Sequence, residues 1–285
     1  MPEYVSFFKM HGCGNDYIYF DMFDEDVKAK IQNPSELSVK FSDRNKGIGG
    51  DGIVLIEPSK TAHAKMRMFN ADGSEAGMCG NAIRCIGKFL YENKNVKDTN
   101  IDIETISGLK KLVINTTGSE VTSVKVDMGA PLTNPSDIPV SLPGDIIVGR
   151  EVNISGQSYE ITCVSMGNPH AVIFHDDVES FDLHTIGPLF EHAEIFPDRI
   201  NFEVAQMLGR NHIRMRVWER GTGETLACGT GACAVAVAAV NLGFCDSKKD
   251  ICVELKGGSL TINCAPEVVY MTGECIMVFE GRVLV

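Results

Sequence analysis

Between Gly231 and Leu242 the chain carries no charged side chain, running Gly-Ala-Cys-Ala-Val-Ala-Val-Ala-Ala-Val-Asn-Leu. A helix over this run has no polar face to offer water. At about three turns it is too short to cross a bilayer, which needs about 20 predominantly apolar residues. It must therefore be a core helix enclosed by sheet on all sides. A second run, Gly80 to about Asn93, also predicts a helix. Its only charges before Glu92 are Arg84 and Lys88, four apart on one edge, so it too is largely enclosed.

The rest of the chain reads as strands that could supply those sheets. Alternating or β-branched segments fall at Val5–Met10, Tyr17–Phe20, Ile53–Ile56, Lys65–Phe69, Asn100–Thr105, Lys110–Thr116 and Val121–Asp127. After a stretch dotted with Pro131, Pro135, Pro139 and Pro143, which precludes a helix, strands resume. They fall at Val152–Ile154, Tyr159–Ser165, Ala171–Phe174, Asn201–Gln206 and His212–Glu219, then Ile251–Leu255, Leu260–Cys264, Val268–Thr272 and Ile276–Phe279. Short helices are expected at Ser35–Ser42 and Thr185–His192. The order strand, cysteine turn, helix, strands occurs twice, which suggests an internal pseudo-repeat with its boundary near Gly129.

Each enclosed helix opens on a cysteine. Met78-Cys79-Gly80-Asn81 follows the polar turn Asn70-Ala71-Asp72-Gly73-Ser74-Glu75, and Ala227-Cys228-Gly229-Thr230 follows Glu219-Arg220-Gly221-Thr222-Gly223-Glu224-Thr225. A helix N-terminus lowers a thiol's pKa and offers backbone N–H groups to an anion. Two such mouths acting together would give paired thiol acid/base groups with carboxylate cradles, suited to moving a proton on a carbon beside a carboxylate. Taken alone, a cysteine ahead of a helix is more often buried packing.

Composition narrows the partners. The chain has 26 basic and 38 acidic side chains, a net charge of -12, and no basic stripe, so nucleic acid is a poor partner. Met1-Pro2-Glu3-Tyr4 shows no charged-then-apolar signal pattern, and a cytoplasmic protein with no membrane partner is expected. Ten cysteines then read as thiols rather than disulfides. No Cys-x-x-Cys pair occurs, so no metal is expected. No P-loop pattern is present and no lysine sits in a Schiff-base setting, so no cofactor is expected.

At these residues the chain resembles the diaminopimelate epimerase family, the pyridoxal-independent epimerases of bacterial lysine and cell-wall precursor synthesis. The resemblance runs end to end through Met10-His11-Gly12-Cys13-Gly14-Asn15-Asp16, Phe69 to Glu75, Cys79-Gly80-Asn81 and Gly167-Asn168-Pro169-His170. It continues through Arg199-Ile200-Asn201-Phe202, Trp218-Glu219-Arg220-Gly221, Cys228 to Ala232 and Met271-Thr272-Gly273. It implies an α/β (α+β) protein of two pseudo-symmetric domains. Each would be a β-barrel-like mixed sheet wrapped around a central helix, with the active site in the cleft between them. Residues 1–128 would form the domain carrying Cys79, with 274–285 returning to it, and residues 129–273 the domain carrying Cys228. A homodimer is implied as well.

The resemblance further implies interconversion of L,L- and meso-diaminopimelate, with Cys79 and Cys228 as base and acid on opposite faces of one α-carbon. Their tuning falls to His170 and Glu219. The reacting carboxylate would sit on Gly80, Asn81, Gly229 and Thr230. Asn15, Asn70, Asn168, Asn201 and Arg220 would surround the far end of the substrate, with Glu219 against its ammonium. Two positions depart from the commoner pattern: Gly52 stands where many relatives have glutamine, and Phe279 where the family often has a dimer-linked tyrosine. Competing readings are a related racemase or isomerase acting on another substrate such as histidine or proline, a thiol redox or hydrolase protein, and a binding module. The last leaves the duplicated cysteine–glycine step unexplained.

Overall fold

The structure, a computed structural model, describes residues 3–265 and 267–285. Met1 and Pro2, which open the N-terminal stretch read above, lie outside the described residues. In chain order the elements are β1 (Tyr4–Gly12), β2 (Asn15–Asp21), α1 (Glu25–Lys30), α2 (Pro34–Ser42), β3 (Gly52–Glu57), β4 (Ala64–Asn70), β5 (Glu75–Ala76) and α3 (Gly80–Asn93). Then follow β6 (Asn100–Thr105), β7 (Gly108–Thr117), β8 (Glu120–Asp127), β9 (Arg150–Ile154), β10 (Gln157–Ser165), β11 (Pro169–Phe174), α4 (Leu183–Glu191), β12 (Asn201–Gly209) and β13 (His212–Glu219). The chain ends with β14 (Gly223–Glu224), α5 (Gly229–Asn241), β15 (Asp250–Leu255), β16 (Gly258–Ala265), β17 (Val268–Gly273) and β18 (Ile276–Leu284).

Two compact units result, one of residues 1–126 with 273–285 and the other of residues 127–272. In the first, β18 and β2 flank β1 antiparallel, β2 pairs parallel with β3, β3 antiparallel with β4, and β4 parallel with β6. Strands β6, β7 and β8 complete it as an antiparallel meander. The second unit repeats this pattern strand for strand. Strands β9 and β11 flank β10 antiparallel, β11 runs parallel to β12, β12 antiparallel to β13, β13 parallel to β15, and β15, β16 and β17 close the meander. The two-residue strands β5 and β14 fold back on β4 and β13 at the same point of each unit. Parallel neighbours need a crossover; α1 with α2, then α3, provide them in the first unit, and α4, then α5, in the second.

The enclosed helices sit as their composition requires. On α5 every residue from Gly231 to Ala239 is buried, and the helix touches β10, β11, β12, β13, β15 and β16. On α3 the burial runs unbroken from Gly80 to Leu90 and takes in both Arg84 and Lys88. The Arg84 side chain, fully buried, donates to the carbonyls of Gly80 and Glu274, and Lys88 donates to Val121 O and Glu92. A charge on an enclosed helix thus finds buried acceptors instead of water. Separate cores fill the outer layer of each unit. Phe20, Phe41 and Ile53 lie in the first, Phe190, Phe202 and Ile173 in the second, where the Phe190 and Phe202 rings stack at 3.9 Å. Among the described residues no helix is long and apolar enough to cross a membrane.

Candidate active site

In the first unit the site grows from the β1–β2 hairpin and the mouth of α3. The two-residue turn Cys13-Gly14 has positive φ at both positions, 54° and 78°, which matches the twist of a tight hairpin. It delivers Asn15 to the start of β2. The Asn15 Oδ1 accepts from Cys79 Sγ at 3.3 Å and from Asn81 Nδ2 at 3.4 Å. Its Nδ2 donates to Asp51 Oδ2 at 2.7 Å, which also accepts the Asp16 N–H at 3.0 Å. Arg44 ties Asp51 to Asp16, and buried Lys9 bonds Asp16 and the Gly49 carbonyl.

Cys79 is the N-cap of α3 in extended conformation, and the first intrahelical bond runs from Ile83 N–H to Cys79 O at 2.9 Å. Gly80 and Asn81 therefore belong to the first turn, whose N–H groups have no carbonyl of their own helix to bond. Arg84 Nη2 donates to Asn81 Oδ1 at 3.0 Å, which leaves the other end of that amide facing Asn15. Behind Cys79, burial pushes the Tyr17 phenol well above its ordinary range, with Cys79 and Asp51 adding to the effect. Asn70 closes β4, and its side chain donates to Ser74 Oγ within its own turn. Gly52 pairs with Asn70 across β3 and β4, and a Cβ there would lie 2.1 Å from the Phe69 carbonyl oxygen. This backbone takes no side chain, so a glutamine could not stand at Gly52 without moving the strand pair.

In the second unit, parallel pairing of β11 with β12 sets His170 opposite Asn201. His170 is fully buried. Its Nδ1 lies 2.7 Å from Glu203 Oε1 and its Nε2 lies 3.1 Å from Asn168 Oδ1. Asn201 braces two loops, donating to Pro169 O at 2.8 Å and accepting the Arg220 N–H at 3.0 Å. The Arg220 guanidinium donates to Asp198 O at 2.8 Å. Glu219 ends β13 and accepts from Thr225 Oγ1, and its carboxyl is pushed above the ordinary value by burial, against that bond.

Cys228 caps α5 in extended conformation. Its Sγ accepts the Gly231 N–H at 3.4 Å and lies 3.4 Å from Thr230 Oγ1. Here the expectation of a lowered thiol pKa fails. Burial pushes Cys228 well above its ordinary value, and Glu219 and Glu203 push it further, against the bonds from Thr230 and Gly231. Desolvation with two nearby carboxylates outweighs the field of the helix end.

The structure thus joins Asn15, Cys79 and Asn81 by hydrogen bonds in one unit. In the other it links Asn168 to His170 and Asn201 to Arg220, with Thr230 against Cys228. The bonds of Asn70 stay in its own turn. Four further residues escaped the sequence reading: Asp51 behind Asn15, Arg84 behind Asn81, Glu203 behind His170, and Thr225 on Glu219. The signal for two of them is a charge inside an apolar run. Among the described residues no group of three or more His, Cys, Asp or Glu could hold a metal ion.

The fold places the chain in a class before sequence does. A hydroxyproline epimerase from Agrobacterium vitis superposes with a TM-score of 0.67 at 14% identity, covering 98% of this chain and 91% of that one. A PhzF-family phenazine biosynthesis protein from Bacillus anthracis gives 0.70 at 16%, covering 99% and 100%. The duplicated helix-in-sheet unit is therefore a fold shared by epimerases and related proteins. Sequence goes further. A family model described as diaminopimelate epimerase matches residues 7–133 and 162–278. Proteins named diaminopimelate epimerase are 50% identical over 281 residues in Methanococcus maripaludis strain S2, covering 98% of this chain and 99% of that protein, and 52% identical over 285 residues in Acetivibrio thermocellus, covering 98% of each. The chain belongs to the diaminopimelate epimerase family.

Proposed function

We propose that this protein is a diaminopimelate epimerase, an isomerase that interconverts L,L- and meso-2,6-diaminopimelate in lysine and peptidoglycan precursor biosynthesis. One observation carries the mechanism: the same cysteine-capped, buried helix occurs at the same topological point of both units, with Cys79 on one and Cys228 on the other. In the forward step a thiolate takes the α-proton, the C–H bond breaks, and its electron pair spreads into the adjacent carboxylate. The opposite thiol then delivers its proton to the other face of the carbon. Both sulfurs have exchanged protonation state, and the reverse reaction begins from there. First-turn N–H groups of Gly80, Asn81, Gly229 and Thr230 bind the carboxylate as its charge builds, where preorganised donors act most strongly.

Asn15, Asn70, Asn168, Asn201, Glu219 and Arg220 bind the distal amino-acid end. Asn15 and Asn201 are already fixed by protein bonds, so they would meet substrate without reordering. A histidine or proline racemase lacks use for that set, and the sequence relatives at about half identity carry the diaminopimelate epimerase name. The reading includes a cytoplasmic homodimer, a setting suited to ten cysteines that form no disulfide among the described residues. Ile276, Val278 and Phe279 on β18 are exposed and supply an apolar surface for such a contact. Incubation of L,L-diaminopimelate in deuterated water tests the function: meso product should appear with deuterium at the inverted carbon. Inversion without label, or no inversion, defeats the reading.

A further inference from the structure

Glu203 is the one ionisable residue of β12, and its side chain is fully buried. Its Oε1 bonds His170 Nδ1, while Oε2, also buried, makes no hydrogen bond among the described residues. A carboxyl in that position carries a desolvation penalty that packing does not repay. Its neighbour explains the placement. A Cβ added to Gly231, in the first turn of α5, would lie 2.7 Å from Glu203 Oε1 and 3.4 Å from Cys228 Sγ. The two atoms are therefore within about 6 Å of one another, close enough for a charge on one to govern ionisation of the other. Glycine at 231 leaves room for the carboxylate, which also lies where the helix end favours negative charge.

We propose that Glu203 is a positioning residue for the second thiol: its sealed carboxylate, lodged against the first turn of α5 and tied to His170, keeps Cys228 in its proton-carrying form. The inference rests on the two-thiol reading above. An inversion needs one sulfur holding a proton when the substrate arrives, and a thiol at a helix mouth tends to lose it. Glu203 on β12 and Glu219 on β13 oppose that tendency, with His170 on β11 bonded to the former. The resting enzyme is thereby set to protonate from the Cys228 side first.

The test is the pH profile of Cys228 alkylation by iodoacetamide in the ligand-free protein, read by mass spectrometry of the peptide that contains it. At about 6 Å and an effective dielectric near 20, losing the carboxylate in Glu203→Gln should lower the midpoint by about two pH units, roughly a hundredfold more thiolate at a fixed pH. Glu203→Asp, which keeps the charge, should hold the midpoint near the wild-type value. A Gln midpoint equal to wild type, or equal falls in both variants, overturns the proposal. So does a wild-type Cys228 midpoint below the ordinary thiol value of about 8.5, even if neither variant folds. Diaminopimelate turnover in the same preparations separates the two readings. Active enzyme with an unmoved midpoint defeats Glu203 alone, whereas absent turnover defeats the function and leaves the titration to judge the residue.

Discussion

Glu224 offers a quantitative test of how the turn before Cys228 is held. Its carboxylate receives Arg216 Nε at 2.8 Å and Nη2 at 3.1 Å, lies 2.6 Å from Lys256 Nζ and 2.9 Å from His184 Nε2, and is only 6% exposed. Burial alone would push the carboxyl up, but Arg216 and Lys256 outweigh it and hold it from 4.5 down to about 2. A gap of about 2.5 units corresponds to about 3 kcal/mol of stability. Because the folded value is depressed, that contribution is fully present above the unfolded value and is lost as pH falls from about 4.5 towards 2. By pH 3 about 2 kcal/mol of it should be gone. Urea unfolding of wild type and Glu224→Gln at both pH values measures this. The variant should be weaker by about 3 kcal/mol at pH 7 and by about 1 kcal/mol at pH 3. An equal gap at the two pH values would refute the reasoning, since a neutral amide would then be losing packing and not charge.

Cys79→Ala and Cys228→Ala should each lower epimerisation at least about a thousandfold while an unreactive diaminopimelate analogue still binds within tenfold by calorimetry, roughly 1.4 kcal/mol. Wild-type rates in either variant would end the two-thiol scheme. Arg84→Met removes buried hydrogen bonds to Gly80 O, Asn81 Oδ1 and Cys13 Sγ, and a half-buried one to Glu274 O. It should destabilise by about 3 kcal/mol in urea titration, and a loss under about 1 kcal/mol would show those acceptors are otherwise satisfied. Asp51→Asn frees the Asn15 amide to rotate and should reduce kcat/KM about tenfold, roughly 1.4 kcal/mol of lost positioning, with little change in Tm. Unchanged kinetics would remove Asp51 from the site.

The two enclosed helices were legible because composition alone denied them a polar face. Sequence placed α5 at Gly231–Leu242 and the structure at Gly229–Asn241. The early start reflects a cysteine cap, which carries none of the usual Ser, Thr or Asp signal. α1 went unread although Asp24 caps it, Glu25 and Asp26 fill its first turn and Lys28 and Lys30 its last. With six residues and only Val27 buried, it has no periodicity to detect. Strands β5 and β14 are two residues long and have no pattern at all. The motif residues of the site were visible; the residues that hold them were not. Period two puts Glu203 on one side of its strand with Asn201 and Ala205, and Phe202 with Val204 on the other. That is how a half-exposed strand reads. In fact all five are buried, because α5 covers the face that alternation assigns to water.

Duplication accounts for the scaffold, and departure from duplication sets its two helix-capping cysteines apart. Each unit presents a cysteine in extended conformation at the cap of a buried helix, after a two-residue strand, so the backbone treats the two sulfurs alike. The side chains around them do not. Cys79 meets the neutral amide of Asn15, which is shared with Asn81, while the nearest buried charge along its helix is the cation Arg84. Cys228 stands among the carboxyls of Glu219 and Glu203 and is pushed towards its protonated state by both. On the two-thiol reading proposed above, a symmetric pair would have no preference for which sulfur gives a proton and which takes one. Glu203 and Glu219 beside Cys228, against the Asn15 amide bonded to Cys79, break that symmetry while the strand pattern of the two units stays the same.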